Sequence, residues 1–204
     1  MNNPIRFVEI TDTNDDLLLP WLDLYEISFP PEEKVLVSGF LALLKAKKRG
    51  EREHSHMLAA VDEAGRLVGL ARFDSLREPG VAYLWYLAVL PDARGKGFGG
   101  AIHDEVLRRC REAGARAAVM EVEIPEESPD AEFARSRIEF YRRHGAKLLT
   151  GIRYVHTVGP HQPEVLMNIM IRPFEPIAPE EALGFARELF GEEAVTAVGE
   201  VGLG

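Results

Sequence analysis

The sequence predicts an α/β protein, and three observations carry that class. Apolar runs of strand length, Met57–Val61, Leu67–Phe73, Tyr83–Leu90 and Ala115–Ile124, are spaced along the chain. Between them lie stretches whose apolar residues recur at helical spacing, such as Ile102, Val106, Cys110 and Ala113. The longest of these that no charged residue breaks, Tyr83–Leu90, leads through a turn rich in glycine into that helical pattern. With 204 residues, 46% hydrophobic and 28% charged, the chain can fill one core. The expected layout is a domain of residues 1–175, with 176–204 as a C-terminal helix and tail packed on it.

Taken in order, Ile5–Ile10 alternates as a first strand. Thr11–Asp16 is rich in capping residues and opens a helix that ends by Pro30, with Leu17, Leu18, Trp21, Leu22, Tyr25 and Phe29 on its apolar face. Pro31 at the first position, followed by Glu32 and Glu33, opens a second helix to about Lys48. Asp62–Arg66 joins two apolar runs into a hairpin. A helix starts at or near Gly97. In the strand Ala115–Ile124, the residues Ala118, Met120, Val122 and Ile124 share one face, and Glu121 and Glu123 the other. Asp130 caps the next helix, which Gly145 ends. Leu148–Val158 and Val165–Arg172 read as strands joined by Gly159–Pro163. A helix over Pro179–Phe190 and a glycine-dotted tail finish the chain.

The turn Arg94-Gly95-Lys96-Gly97-Phe98-Gly99-Gly100 carries the chemistry. Glycines let backbone approach an anion, N–H groups at a helix start point at it, and the helix dipole favours negative charge. A P-loop would need Ser or Thr after Lys96, where Gly97 stands. Gly95–Gly100 is a literal G-x-G-x-x-G, with Glu121 near the place of a ribose carboxylate. However, Pro91–Arg94 separate it from the strand, and no further βα units follow. R-x-x-G-x-G after an apolar strand, here Arg94, Gly97 and Gly99, resembles the acyl-coenzyme-A loop of the GNAT N-acetyltransferases, and L-A-V-L-P-D-A-R-G-K-G-F-G is similar to that family's central motif.

This resemblance, over about residues 5–173, implies the GNAT fold, a mixed, mostly antiparallel sheet with helices on both faces. It implies acetyl-CoA as co-substrate, held by Leu87, Val89, Arg94, Gly95, Lys96, Gly97, Phe98 and Gly99. It also implies transfer of the acetyl group to a primary amine by direct attack. Ile138–Ala146 resembles the family segment whose tyrosine protonates the leaving thiolate, which places Tyr141 in that role. The asparagine and alanine often found upstream of it are replaced here by Ala134 and Arg137. Met120-Glu121-Val122 resembles the L-E-V of members that acetylate protein N-terminal amines, which makes Glu121 the leading base. Glu123, Glu32 and Glu33 are the alternatives to it. A core role for Tyr141 and a sheet-face role for Glu121 fit the same residues. Two other functions remain open, an acyl-CoA-binding domain without turnover and an NAD-binding oxidoreductase.

A net charge of −9 and a pI of about 5.2 disfavour nucleic acid as the main partner. One cysteine, Cys110, allows no intrachain disulfide, and its place on a helical apolar stripe reads as core. His54, His56, His144, His156 and His161 make no metal-ligand spacing, so no metal is expected. Trp85, Tyr83, Tyr25 and Phe29 suit a core more than an acceptor pocket. No signal peptide opens the sequence and no apolar run approaches membrane length. The expectation is therefore a cytoplasmic protein with an amine substrate, for which the resemblance allows a homodimer.

Overall fold

The computed structural model of the chain describes residues 5–78, 80–157 and 163–204. Among them are eight β-strands and five α-helices, the α/β class that the sequence predicts. They fall into two compact units, Met1–Ser75 with Leu84–Ala113, and Leu76–Tyr83 with Gly114–Gly204. Among the described residues no helix is long and apolar enough to cross a membrane.

In the first unit β1 (Arg6–Glu9) pairs antiparallel with β2 (Ser55–Val61), and β2 with β3 (Leu67–Arg77). β4 (Val81–Val89) adds its Leu84–Val89 portion. The hairpin turn between β2 and β3 is held by Asp62, whose Oδ1 accepts the N–H groups of Ala64 and Arg66 at 3.1 and 2.9 Å. Helix α1 (Leu18–Ser28) starts later than the polar stretch suggests. Asp12 and Asp15 accept the N–H groups of Asn14 and Leu17, which makes residues 11–17 a series of side-chain-closed turns. Pro20 is then the third helical residue, where its missing N–H would have had no helical partner.

The second helix also differs from the expectation. Pro31–Glu33 form a single 3₁₀ turn, and α2 (Val37–Lys48) begins after an extended link. Two buried tyrosines hold that link. Tyr25 donates its hydroxyl to the Val35 carbonyl at 2.9 Å, while Tyr86 donates to the Glu33 carbonyl at 2.7 Å and accepts the Val35 N–H at 3.1 Å. Helix bonds and tyrosine bonds compete for the same backbone groups, and the tyrosines win because they also pack. Tyr25 meets Phe40 and Tyr86 edge-on at 4.9 Å each, in a core that includes Trp21, Leu24, Leu44 and Met57.

Helix α3 (Phe98–Glu112) buries Phe98, Ile102, Val106 and Cys110. It approaches β3 where Gly69 leaves room, since a Cβ at 69 would lie 2.5 Å from Ile102 Cδ1 and 2.8 Å from the Ala88 oxygen. Burial pushes the Cys110 thiol up to about 12, which keeps it protonated and inert.

In the second unit β5 (Ala117–Glu123), β7 (Val165–Pro173), β6 (Lys147–His156) and β8 (Val195–Leu203) lie in that order, each antiparallel to the next. Helix α4 (Ala131–Arg143) has the expected cap, Asp130 accepting the Phe133 N–H at 3.0 Å. Helix α5 (Pro179–Phe190) buries Ala182, Leu183, Phe185 and Ala186 against Val119, Ile169, Ile171 and Val195. The glycine-dotted tail is therefore a strand, β8. The turn expected over Gly159–Pro163 lies outside the described residues up to residue 162.

Candidate active site

The glycine turn belongs to the first unit. Pro91–Ala93 form a 3₁₀ turn after β4, and the chain then reaches α3 through Gly95 at φ 74° and Gly97 at φ 84°. Both are left-handed conformations that glycine adopts without strain. A Cβ at either position would meet no heavy atom within 4 Å, so the backbone there faces open space. The first helical bond runs from the Ala101 N–H to the Gly97 carbonyl at 3.1 Å. The N–H groups ahead of it lie at the positive end of a helix of 15 residues. Arg94 and Lys96 are exposed and tied to the turn's own backbone. Arg94 Nε donates to the Val89 carbonyl at 3.3 Å, and Lys96 Nζ to the Asp92 carbonyl at 2.8 Å. Phe98 is buried, Gly99 is half-buried, and Leu87 and Val89 are half-buried on β4. The arrangement can receive a di- or polyphosphate on backbone N–H groups with two cations beside it.

The second unit holds Glu121 and Tyr141, with different neighbours. Both carboxylate oxygens of Glu121 are engaged: Oε1 accepts the Tyr83 hydroxyl, and Oε2 lies 2.5 Å from His156 Nδ1. Tyr154 reaches His156 Nδ1 at 3.3 Å. Burial, reinforced by the Glu121 charge, pushes the Tyr154 hydroxyl far up, which keeps it protonated. Phe190 of α5 covers the group, its ring 5.3 Å from that of Tyr83 and 4.8 Å from that of Tyr154. A carboxylate against an imidazole, roofed by aromatics, can pass a proton between the two groups.

Tyr141 sits on the buried face of α4 with Ala134 and Ile138. Burial pushes its hydroxyl up to about 12, with the Arg137 charge opposing and that of Glu123 reinforcing the shift. Arg137 is paired to Glu123 at 2.8 Å. A phenol held protonated through the neutral range can donate a proton but cannot act as a resting base. Glu123, an alternative base, is thus committed to Arg137. Glu32 and Glu33 form the 3₁₀ turn before α2. Tyr25 and Phe29 lie in the core, and Trp85 donates its indole N–H to buried Asp74 at 2.9 Å.

Sequence reasoning missed the partners of Glu121. Tyr83, Tyr154 and His156 come from two further strands, and nothing in their local pattern joins them to residue 121. The one available signal was a histidine and a tyrosine two apart on an apolar strand, which places both on one face.

The sequence matches the model of the acetyltransferase (GNAT) family over residues 20–146. No curated protein matches it. Among solved structures, a GNAT-family protein from Bacteroides thetaiotaomicron is 22% identical with a TM-score of 0.71, covering 92% of this chain and 99% of its own. The ribosomal-protein-S18-alanine N-acetyltransferase of Escherichia coli is 17% identical with a TM-score of 0.55, over 86% and 97% of the two chains. A Salmonella typhimurium protein with acetyl-CoA bound is also 17% identical, with a TM-score of 0.58 over 87% and 97%. These likenesses show the fold expected from the motif, and the family model spans more than half of the sequence: the chain belongs to the GNAT acetyltransferase family.

Proposed function

We propose that the protein transfers an acetyl group from acetyl-CoA to a primary amine by direct attack of the amine on the thioester. The observation that carries this reading is the left-handed glycine turn, which leads into the N-terminus of α3 with two cations beside it, in a member of this family. Its open space suits a pyrophosphate, and the Salmonella relative has acetyl-CoA bound. Arg94, Gly95, Lys96, Gly97, Phe98 and Gly99 are the residues proposed to hold that pyrophosphate, and Leu87 and Val89 to line the acyl-carrying arm.

Two side chains divide the proton work. Glu121 takes the proton from the attacking ammonium, because an amine must be neutral to attack. His156, against its other oxygen, shares that proton. Tyr141 donates to the departing thiolate, a role that its protonated state at neutral pH supports. A primary amine as acceptor is supported by the Met120-Glu121-Val122 resemblance and by the E. coli relative, whose acceptor is a protein alanine.

The test is a panel of amines, polyamines, aminoglycosides, amino acids and peptides incubated with acetyl-CoA, read by release of CoA thiol and by the mass of the acetylated product. An acetylated amine formed in proportion to thiol released is the expected result. Tight acetyl-CoA binding with no thiol released across the panel would make the protein a binding domain instead.

A further inference from the structure

The first unit contains a second constellation that the proposed reaction does not use. It lies at the C-terminal end of α3, about 20 Å along that helix from the glycine turn at 1.5 Å per residue. A cavity of about 400 Å³ opens there, lined by Glu53, His54, His56, Ser75, Arg108 and Arg109 among others. Ser75 Oγ lies 3.0 Å from His56 Nε2, and His56 Nδ1 lies 3.1 Å from Glu9 Oε1. Hydroxyl, imidazole and carboxylate are thus in one hydrogen-bonded line, with each ring nitrogen given a separate partner.

Three features fix that line. The His56 ring stacks on Phe73, directly opposite on β3, with centroids 4.6 Å apart and planes 20° apart. Burial opposes ionisation of Glu9, but the hydrogen bond and the electrostatic attraction of His56, with the Lys47 and Arg109 charges, outweigh it. Its carboxyl therefore lies below the ordinary range and stays ionised at neutral pH. Those cations sit at 3.3 and 2.8 Å. An ionised Glu9 selects the tautomer with the proton on Nδ1 and leaves Nε2 as acceptor for the Ser75 hydroxyl. Ser75 itself is held by its N–H to the His54 carbonyl at 2.7 Å, and His54 Nδ1 lies 3.4 Å from its hydroxyl oxygen. Ser75 is itself buried and is among the residues that line the cavity.

We propose that Ser75, His56 and Glu9 form a nucleophilic site that accepts acyl groups from small carboxylic esters entering this cavity. Ser75 Oγ attacks the ester carbonyl carbon while its proton passes to His56 Nε2. The carbon–oxygen bond to the alcohol then breaks, and His56 returns the proton to the departing alcohol oxygen. Water deprotonated by His56 attacks the acyl-serine, releasing the acid and restoring the Ser75 hydroxyl. Arg109, paired to Glu9 and Glu105, and Arg108, paired to Glu105 and Glu112, line the same cavity, and in this proposal theirs is the positive charge that meets the carbonyl oxygen as it becomes anionic. The site is independent of acetyl transfer to amines, and of the residues assigned to it.

Covalent labelling of the intact protein tests this directly. A fluorophosphonate probe should modify Ser75, found by mass spectrometry on the tryptic peptide Phe73–Arg77, in which Ser75 is the one serine. The same protein should release p-nitrophenolate from p-nitrophenyl acetate. Ser75→Ala and His56→Gln should each lower that rate by about 10² or more. Acetyl-CoA binding should stay unchanged in both variants. Absence of label on Ser75 in the parent protein, which requires no variant to fold, overturns the proposal. So does ester hydrolysis that survives His56→Gln undiminished.

Discussion

Gly97→Ala separates the fold of the glycine turn from its proposed use. Gly97 has φ 84° and ψ −2°, a left-handed conformation that an L-residue enters at a cost of about 1–2 kcal/mol. No further steric cost arises, because the new Cβ would meet no heavy atom within 4 Å. The stability loss is therefore at most about 2 kcal/mol, a fall in Tm of about 2–4 °C per kcal/mol for a chain of this size. The methyl would enter the open space beside the turn, where the proposed pyrophosphate would approach the backbone N–H groups. If the pyrophosphate of acetyl-CoA sits there, affinity should drop roughly tenfold or more, about 1.4 kcal/mol. Isothermal titration of acetyl-CoA, run beside a melting curve, reads both quantities on one sample. Gly151→Ala is the contrasting case, since a Cβ there would fall 2.1 Å from the Glu200 carbonyl oxygen, and it should cost stability first. A folded Gly97→Ala protein that binds acetyl-CoA as the parent does would refute a phosphate role for the turn.

Other perturbations address other links. Arg94→Ala should weaken acetyl-CoA binding by roughly 1–3 kcal/mol, with a steeper loss at low salt, as titration across ionic strength would show. Glu121→Gln should depress kcat/KM most near neutral pH, the loss shrinking as pH rises and neutral amine becomes abundant; a loss equal at every pH would deny it the role of base. His156→Gln keeps a polar group of similar reach but removes the imidazole beside Glu121, so it should lower kcat/KM about tenfold or more in steady-state assays. Asp74 is buried and held below the ordinary range because Arg72, Ser55 and Trp85 outweigh its burial. Its stabilisation is full above the unfolded carboxylate value of about 3.9 and disappears as pH falls through the lower folded value. Asp74→Asn should cost about 3–5 kcal/mol at pH 7 in urea unfolding, by leaving the buried Arg72 charge uncompensated, with the difference shrinking in acid.

What could be read from the sequence was whatever its local chemistry dictates. The strand, glycine turn and helix from Val81 to Glu112 appear where the apolar run and the glycines place them, because left-handed turns need glycine and β4 needs bulk. The Asp130 cap and the Asp62 turn are local for the same reason. β8 was not legible. Its glycines and exposed residues break the alternation of a strand, and what forms it is distant pairing with β6. That pairing bends around Gly151, where the register shifts between Thr150 and Ile152. The extended link before α2 was hidden likewise, since Tyr86 lies some fifty residues from the backbone groups it satisfies. Of the candidate site, the turn, Tyr141 and Glu121 could be singled out through motifs. The pairing of Glu121 with His156 depends on the order β5-β7-β6, which no local pattern encodes.

The most direct test of acetyl transfer by this chain is the turnover of Tyr141→Phe. The substitution keeps the ring that packs beside Phe140 on α4 and removes the hydroxyl alone. With its pKa pushed up to about 12, that hydroxyl is protonated at neutral pH and available to the leaving thiolate. Single-turnover kinetics on an amine for which chemistry limits the rate should show a loss of about 10²–10⁴, with acetyl-CoA affinity little altered, because the interaction forms mainly in the transition state. A Tyr141→Phe protein that turns over as fast as the parent would contradict the assignment.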